Sequence, residues 1–423
     1  MDILLRRAKI YPSDAVRDVG VEDGRIVEVS ERISEEAERE VDCAGRMVFP
    51  SFSDMHIHLD TALTLGRPRF NLEGTLLEGI RIWGEYKKSL LGKDELKARA
   101  RRVVEWLVSF GVTRIRTHAD VSQPQLTSLR GLLELKNEVR DAADIEVTAF
   151  PQDGVFTDKE NAELLEKALE MGADNVGLIP HNEFTREDGV ESVRYAFQLA
   201  KKYGRKVDGH IDETDDDHSR FLEVVAAETI RNGMQGKVAA GHTTAMHSYN
   251  NAYAYKLLGL LAKAGVTIVV NPPVNLNLQG RFDTYPKRRG VTRVKELVNG
   301  GVNVALGQDD IMDPWYPLGN GDCLKALYMG VHAAHMLGAE ELKRSFDLVT
   351  FNAAKALGIE DSYGIQVGSR ADFVVVDAYD ELETLRNQPS RLLVVKEGRI
   401  VAETSPSKSY VYFNGQKSGV DTR

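Results

Sequence analysis

The sequence contains little cysteine, and it lacks basic runs and long apolar stretches. Only Cys43 and Cys323 occur among 423 residues, far apart and without metal-type spacing, which excludes a disulfide framework and favours a reducing compartment. The first residues lack the apolar segment of a signal peptide, and no apolar run is long enough to span a bilayer. The formal net charge of −10 argues against a non-specific nucleic-acid binder. We therefore expect a cytoplasmic protein that binds neither nucleic acid nor membrane.

In the middle of the chain, short apolar, β-rich segments alternate with longer helical patterns. The eight candidate strands are the run that ends at His56 and His58, then residues 112–118, 145–152, 175–180, 206–210, 237–243, 266–271 and 302–309. Helical patterns between them include residues 94–110, 161–171, 190–203 and 253–264. This alternation predicts parallel strands joined by helices, and eight such units can close a (β/α)8 TIM-type barrel. An open doubly wound sheet is the alternative, but no glycine-rich phosphate loop follows the first strand.

Both ends of the chain are rich in short strands. The segment Asp23-Gly24-Arg25-Ile26-Val27 is matched almost residue for residue by Glu397-Gly398-Arg399-Ile400-Val401. Chance recurrence of a common hairpin turn is one explanation, but both copies lie in strand-rich ends. We therefore predict that residues 1–50 and 360–423 form one small β-sandwich domain and that residues 51–359 form the barrel.

Polar residues collect at the carboxyl ends of the candidate strands, where barrel enzymes carry their chemistry. His56 and His58 are two residues apart in an extended strand, so their side chains point to the same face. His210 and Asp309 end two later strands and complete a plausible coordination set of three imidazoles and one carboxylate. This set suits one Zn²⁺ or Fe²⁺, which lowers the pKa of bound water and supplies hydroxide as nucleophile. Asp309 could also accept the proton from that water.

Three further residues fit proton transfer and ring recognition. Glu213 follows His210 by three residues and could move protons between water and a ring nitrogen of the substrate. His242 ends the sixth strand and could act as a second base or as an orienting donor. Gln152 ends the third strand, and its amide offers a donor and an acceptor to a ring carbonyl and the adjacent N–H. His118 and His181 also lie at strand ends and could line the pocket.

Longer motifs give a family resemblance that covers almost the whole chain. They include His56-Ile57-His58-Leu59-Asp60, Phe150-Pro151-Gln152, Ile179-Pro180-His181, His242-Thr243-Thr244-Ala245-Met246-His247, Leu278-Gln279-Gly280-Arg281-Phe282-Asp283-Thr284-Tyr285-Pro286 and Asp313-Pro314-Trp315-Tyr316-Pro317. In these segments the sequence resembles the amidohydrolase superfamily and, within it, the bacterial cytosine deaminases. The resemblance implies a (β/α)8 barrel with a β-sandwich built from both termini.

The same resemblance implies roles for individual residues. It makes His56, His58, His210 and Asp309 the metal ligands, Glu213 and His242 the proton-handling residues, Gln152 the residue that holds the base, and Asp310 and Trp315 the pocket wall beside the ring. It also implies bound iron, with zinc as a substitute, and assembly as a homo-oligomer. Two-metal relatives usually carry a bridging lysine on the fourth strand, and residues 178–181 contain none. We therefore predict one divalent metal ion per chain.

The substrate implied by the resemblance is a nucleobase, and the predicted reaction is metal-dependent hydrolysis of cytosine to uracil and ammonia. In this prediction, metal-bound hydroxide attacks C4 and Glu213 shuttles the proton. Gln308, Ile211, Pro273 and Asn277 depart from the residues usual in the bacterial enzymes, which leaves the preferred ring open. Alternatives are 5-methylcytosine, an isocytosine-like base, isoguanine, creatinine or an alkylamino-triazine. A catalytically inactive scaffold is a further alternative, but all four ligands and Glu213 are retained.

Overall fold

The computed structural model describes residues 1–420, which form two folded units and a terminal hairpin. The strands are β1 (Ile3–Ile10), β2 (Val16–Glu22), β3 (Arg25–Ser30), β4 (Arg39–Asp42), β5 (Met47–Pro50), β6 (Phe52–Ile57), β7 (Val112–Asp120), β8 (Asp144–Phe150), β9 (Asn175–Val176), β10 (Lys206–Ile211), β11 (Val238–His242), β12 (Thr267–Val270), β13 (Val304–Leu306), β14 (Phe373–Val376), β15 (Arg391–Lys396), β16 (Arg399–Glu403), β17 (Tyr410–Phe413) and β18 (Gln416–Gly419). The helices are α1 (Leu76–Ser89), α2 (Lys93–Ser109), α3 (Thr127–Glu138), α4 (Asn161–Glu170), α5 (Arg186–Tyr203), α6 (Phe221–Arg231), α7 (Asn251–Ala264), α8 (Pro272–Leu278), α9 (Val294–Asn299), α10 (Cys323–Ala333), α11 (Ala339–Arg344), α12 (Phe351–Leu357) and α13 (Glu381–Asn387).

The strands β6 to β13 form the barrel, and they pair in parallel in their order along the chain. The barrel closes between its first and last strands, where Ile57 bridges to Asp309. The Asp309 amide donates to the carbonyl of His56 at 2.7 Å, and the His58 amide donates to the carbonyl of Asp309 at 2.9 Å. The predicted (β/α)8 barrel is confirmed, and its closing hydrogen bonds lie among the predicted metal ligands.

The fourth barrel strand is shorter than the sequence pattern predicts. Only Asn175–Val176 pair as β9, whereas the pattern favours a strand to residue 180. Pro180 has no N–H to contribute to a ladder, and it begins a 3₁₀ turn, Pro180–Asn182. This turn carries His181 to the carboxyl-terminal mouth of the barrel, beside the end of β8.

The barrel interior below the mouth is filled by charged side chains rather than by an apolar core alone. Arg116 on β7 donates to Glu146 on β8 at 2.7 Å, and the Lys206 ammonium on β10 lies 2.9 Å from the same carboxylate. Burial alone would raise the pKa of Glu146. The positive charges of Arg116 and Lys206 outweigh this effect and lower the pKa to about 2. The Asp208 carboxylate, 3.8 Å from Arg116, supplies a second negative charge, so the buried cations are paired with carboxylates.

The two chain ends meet in a second sheet, with the order β16-β15-β14-β5-β1-β2-β3 and with β4 beside β1. The first half of β1 pairs with β4 and its end pairs with β5, so the sheet folds around its own apolar core. That core includes Leu5, Val19, Phe373 and Val395. The predicted β-sandwich from both termini is confirmed.

The repeated sequence at the two ends forms two hairpin turns that touch. Both turns have positive φ at their central residues, 49° and 75° at Asp23 and Gly24, and 48° and 71° at Glu397 and Gly398. These are the angles of type I′ turns, which favour glycine at the second position. A Cβ atom on Gly398 would lie 2.8 Å from the Cα of Gly24. The matching segments are therefore explained by direct packing of one turn against the other.

The hairpin β17–β18 pairs only with itself and is separate from the sandwich. Residues 421–423, which the sequence assigns to the terminal domain, lie outside the described residues. The domain boundaries at residues 50/51 and 359/360 stay predictions. Within residues 1–420, none of the helices combines the length and the apolar content needed to cross a membrane.

Candidate metal centre and active-site cavity

Four predicted ligands meet at the carboxyl-terminal mouth of the barrel. His56 and His58 lie at the end of β6, His210 lies on β10, and Asp309 follows β13. Their ring nitrogens and carboxylate oxygen all lie within 4.8 Å of one another, and all four residues are buried. Strands that are far apart in the sequence therefore bring three imidazoles and one carboxylate together at the mouth of the barrel.

The distances between the donor atoms fit a shared metal ion. The Nε2 atom of His210 lies 3.2 Å from that of His56 and 3.0 Å from that of His58. The Oδ1 atom of Asp309 lies 3.4 Å from His56 Nε2 and 3.5 Å from His58 Nε2. Donors around a tetrahedral ion with bonds of about 2.0–2.1 Å are roughly 3.3 Å apart. Three nitrogens and one oxygen at this spacing fit a divalent metal ion.

Burial sets the protonation state of the ligands. It lowers the pKa of His56, His58 and His210 well below the usual value, and the neighbouring histidines lower it further. The imidazoles are therefore neutral and can ligate a cation. Burial raises the pKa of Asp309 well above its usual range, and the nearby Glu213 carboxylate adds to this effect. A bound cation would favour the ionised form of this carboxylate.

The two proton-handling candidates lie next to the metal cluster. The Nδ1 atom of His242 is 3.4 Å from Oε1 of Glu213 and 3.7 Å from Oδ2 of Asp309. Burial raises the pKa of Glu213 to about 8. A carboxyl group with a pKa near neutrality is suited to both accepting and donating a proton.

The segment between His210 and α6 is held in place by Asp212. Its carboxylate accepts hydrogen bonds from the Ser219 hydroxyl at 2.7 Å, the Phe221 amide at 3.0 Å and the Leu222 amide at 2.9 Å. The last two amides begin α6, so the carboxylate caps the helix. Asp212 therefore anchors the loop that presents Glu213, a role that the sequence reading did not assign.

A cavity of about 460 Å³ opens onto the metal cluster, within the range of small-molecule sites, roughly 300–1,000 Å³. His58, His210 and Asp309 line it beside the polar groups Glu213, Gln152 and Asp310 and the apolar side chains Leu76, Ile80 and Trp315. The cavity thus brings Gln152, Glu213, Asp310 and Trp315 together, and the catalytic and binding roles of these residues stay predictions. His118, by contrast, lies inside the barrel with its ring centroid 4.1 Å from that of His56.

Trp315 and Asp310 are fixed by neighbours that the sequence reading missed. The Trp315 indole donates to the carbonyl of Leu76 at 3.2 Å, and its ring lies directly over Gly79 in α1. The carboxyl groups of Asp310 and Asp313 hydrogen-bond to each other, and burial together with Asp313 raises the pKa of Asp310 well above its usual range. This direction favours a proton on Asp310, which it donates to Asp313.

His242 also has partners that no sequence motif indicated. The side-chain amide nitrogen of Asn275 lies 3.0 Å from His242 Nδ1, and that of Asn271 lies 3.3 Å from Nε2. Both asparagines are fully buried near β12 and α8. Their amides orient the imidazole ring beside Glu213. Asn271 and Asn275 follow the seventh barrel strand in the sequence. Their contacts with His242 cross between strands, so no local sequence pattern indicated them.

Comparison with known proteins agrees with this geometry. A family model described as the amidohydrolase family matches residues 69–402. The crystal structure of 5-methylcytosine deaminase from Klebsiella pneumoniae with 5-fluorocytosine is 43% identical, with a TM-score of 0.93 over 96% of this chain and 98% of that chain. N-isopropylammelide isopropyl amidohydrolase from Pseudomonas sp. (strain ADP) is 30% identical over 412 residues, 95% of this chain and 97% of that protein. Pterin deaminase from Rhizobium rhizogenes is 31% identical over 396 residues, 92% of this chain and 88% of that protein.

The barrel and the cluster at its mouth define a metal-binding (β/α)8 hydrolase. The chain belongs to the amidohydrolase family and acts on C–N bonds. The resemblance seen in the sequence is therefore confirmed.

Proposed function

We propose that this protein hydrolytically deaminates cytosine to uracil and ammonia. The observation that carries the proposal is the placement of an amide and a carboxyl group, Gln152 and Glu213, in one cavity with the metal cluster. An amide can recognise a ring carbonyl and the adjacent N–H, whereas a carboxyl group can protonate a ring nitrogen. A 4-amino-2-oxopyrimidine has all of these groups. Its C2 carbonyl lies beside N1–H, N3 can be protonated, and the amine that leaves is attached to C4.

In this proposal, Gln152 donates its NH₂ group to O2 and accepts from N1–H, which turns C4 towards His56, His58, His210 and Asp309. A divalent cation held by these four residues would supply Lewis-acid activation of the attacking water. Glu213 takes one water proton and gives it to N3. The water oxygen becomes the new carbonyl at C4, its second proton goes to the amino group, and ammonia leaves. His242, 3.4 Å from Glu213, orients the attacking oxygen.

A second candidate substrate is 5-methylcytosine. It is favoured by the 43% identity to the Klebsiella enzyme named as a 5-methylcytosine deaminase. In the proposed orientation, C5 points towards Asp310 and Trp315, which both line the cavity. A carboxyl group at this position favours the unsubstituted ring, because a 5-methyl group would have to displace it and disturb its hydrogen bond to Asp313.

We further propose one Fe²⁺ or Zn²⁺ ion per chain, a homo-oligomeric assembly and a cytoplasmic location. One four-residue ligand set supports the metal count; the other group that could hold an ion, Glu213, His242 and Asp309, shares Asp309 with it and includes the proposed proton carrier. Two free, buried cysteines support a reducing compartment. Elemental analysis of the purified protein should return about one iron or zinc per chain. Two ions per chain at full activity would contradict the metal count.

A substrate panel tests the proposed function. The metal-replete protein is incubated with cytosine, 5-methylcytosine, isoguanine and creatinine, and products are separated by chromatography. The proposal expects the highest kcat/KM for cytosine, with uracil and ammonia formed in equal amounts. A higher kcat/KM for 5-methylcytosine would make it the preferred substrate, and turnover of isoguanine or creatinine alone would overturn the proposal.

A further inference from the structure

His181 is a cavity residue to which neither the sequence motifs nor the proposed mechanism assigns a role. It lies in the 3₁₀ turn Pro180–Asn182 that follows the fourth barrel strand, and its ring lines the cavity. Its Nδ1 atom is buried, and no group within residues 1–420 hydrogen-bonds to it. Burial lowers the pKa of the imidazole to about 4, so the ring is neutral and offers one N–H donor and one acceptor.

The order of the strands around the barrel places His181 between two residues of the proposed mechanism. Gln152 follows the third strand, His181 follows the fourth, and Glu213 follows the fifth. These three strands are neighbours in the closed sheet, because β9 pairs with both β8 and β10. A group at the end of β9 therefore faces the part of the substrate that lies between the edges bound by Gln152 and Glu213.

The same order is found around the proposed substrate. In a 4-amino-2-oxopyrimidine, the atoms from N1 run through C2 with its O2 carbonyl to N3, C4, C5 and C6. Gln152 is assigned to N1–H and O2, Glu213 to N3, the metal cluster to C4, and Asp310 after the eighth strand to C5. The remaining C6–H edge then faces the apolar side chains of α1, the helix that follows the first strand. The O2 carbonyl is the polar atom between Gln152 and Glu213.

We propose that the His181 imidazole donates a hydrogen bond to the O2 carbonyl of the substrate and is a specificity-determining residue for 2-oxopyrimidines. This inference rests on the proposed function. A carbonyl oxygen has two acceptor positions, so it can take one N–H from Gln152 and a second from His181. The two donors together would reject rings that lack the carbonyl, because both would then be left unpaired in a buried site.

The test compares cytosine with 4-aminopyrimidine, which has the reacting amine but no O2. We measure kcat/KM for both compounds with the parent, His181→Leu and His181→Gln. His181→Leu keeps an apolar side chain of similar bulk and removes the donor, whereas His181→Gln keeps a donor. If 4-aminopyrimidine is not turned over, its inhibition constant against cytosine gives the same comparison. Phe184→Ala is the matched control, because Phe184 lies at the cavity mouth, is 78% exposed and has no side-chain donor.

His181→Leu should lower kcat/KM for cytosine at least about tenfold and change the value for 4-aminopyrimidine less than about twofold. His181→Gln should keep most of the cytosine activity, and Phe184→Ala should affect the two compounds equally. Metal content should be unchanged in every variant, since His181 is outside the ligand set.

An equal loss on both compounds in His181→Leu, or no loss on cytosine, would overturn the inference while leaving cytosine deamination intact. If His181→Leu does not fold, His181→Gln decides: cytosine turnover as low as in a metal-free protein would contradict a donor role. A parent enzyme that turns over neither compound would overturn the proposed function, and this inference with it.

Discussion

The contact between Gly79 and Trp315 gives a quantitative prediction about the cavity wall. A Cβ atom added to Gly79 would lie 2.3 Å from Cδ1 and 2.4 Å from Nε1 of Trp315. Carbon atoms pack at about 3.5–4.0 Å, so the indole in Gly79→Ala must move by about 1 Å or more. The indole lines the cavity and donates a hydrogen bond to the Leu76 carbonyl. In the proposed orientation, its movement would displace the substrate ring. A misplacement of about 1 Å can cost roughly 10²-fold in rate.

The stability change can be worked out from the same contact. Alanine in a helix interior is favoured over glycine by about 0.8–1.0 kcal/mol, whereas overpacking costs about 1–3 kcal/mol. Gly79→Ala should therefore lose up to about 2 kcal/mol of unfolding free energy, together with most of its kcat/KM. Gly84 in the same helix is a matched control, because a Cβ atom there meets nothing within 4 Å. Gly84→Ala should be stabilised by up to about 1 kcal/mol with unchanged activity.

The assay combines chemical denaturation with steady-state kinetics on both variants. Gly79→Ala is expected to fall below the parent in both measurements, and Gly84→Ala is expected to fall below it in neither. If Gly79→Ala matches Gly84→Ala in stability and in kcat/KM, then Trp315 does not border the substrate and the assigned cavity wall is wrong.

Three further predictions concern single carboxyl groups. Glu213→Gln should keep its metal and lose at least about 10²-fold in kcat, because it cannot carry a proton; near-parent turnover would assign the shuttle to His242. Asp310→Ala should raise the ratio of kcat/KM for 5-methylcytosine to that for cytosine, since it opens the C5 side; an equal loss on both would argue against this orientation. Folding lowers the pKa of Glu146 from an ordinary value of 4.5 to about 2. The ionised carboxylate therefore stabilises the folded state above pH 4.5, and this stabilisation is lost as the pH falls towards 2. Glu146→Gln should therefore flatten the acid limb of the unfolding free energy between pH 5 and 2, as followed by circular dichroism; an unchanged limb would contradict it.

Much of the fold could be predicted from local sequence patterns. Alternating strand and helix patterns predicted the eight barrel strands, and the matching hairpin segments predicted that the chain ends meet. The short β9 could not be read from apolar residues, because its end is decided by Pro180 and by the close approach of Gly177 to Ala149, whose carbonyl would lie 2.4 Å from an added Cβ. The separate hairpin β17–β18 was also missed, since a strand pattern does not reveal its pairing partner.

Part of the candidate site could likewise be predicted from the sequence, and part of it could not. His56, His58, His210 and Asp309 were predicted because strand ends meet at one mouth of a barrel, and the structure brings these four residues together. Contacts between segments far apart in sequence leave no local pattern. The packing of Gly79 under Trp315 and the amides beside His242 are contacts of this kind, and they became visible only in three dimensions.

The most direct measurement for the account is product analysis with cytosine and the metal-replete protein. The account predicts uracil and ammonia in equal amounts, at a rate that Asp309→Ala abolishes together with metal binding. Intact cytosine after prolonged incubation with protein that holds one iron or zinc per chain would contradict it.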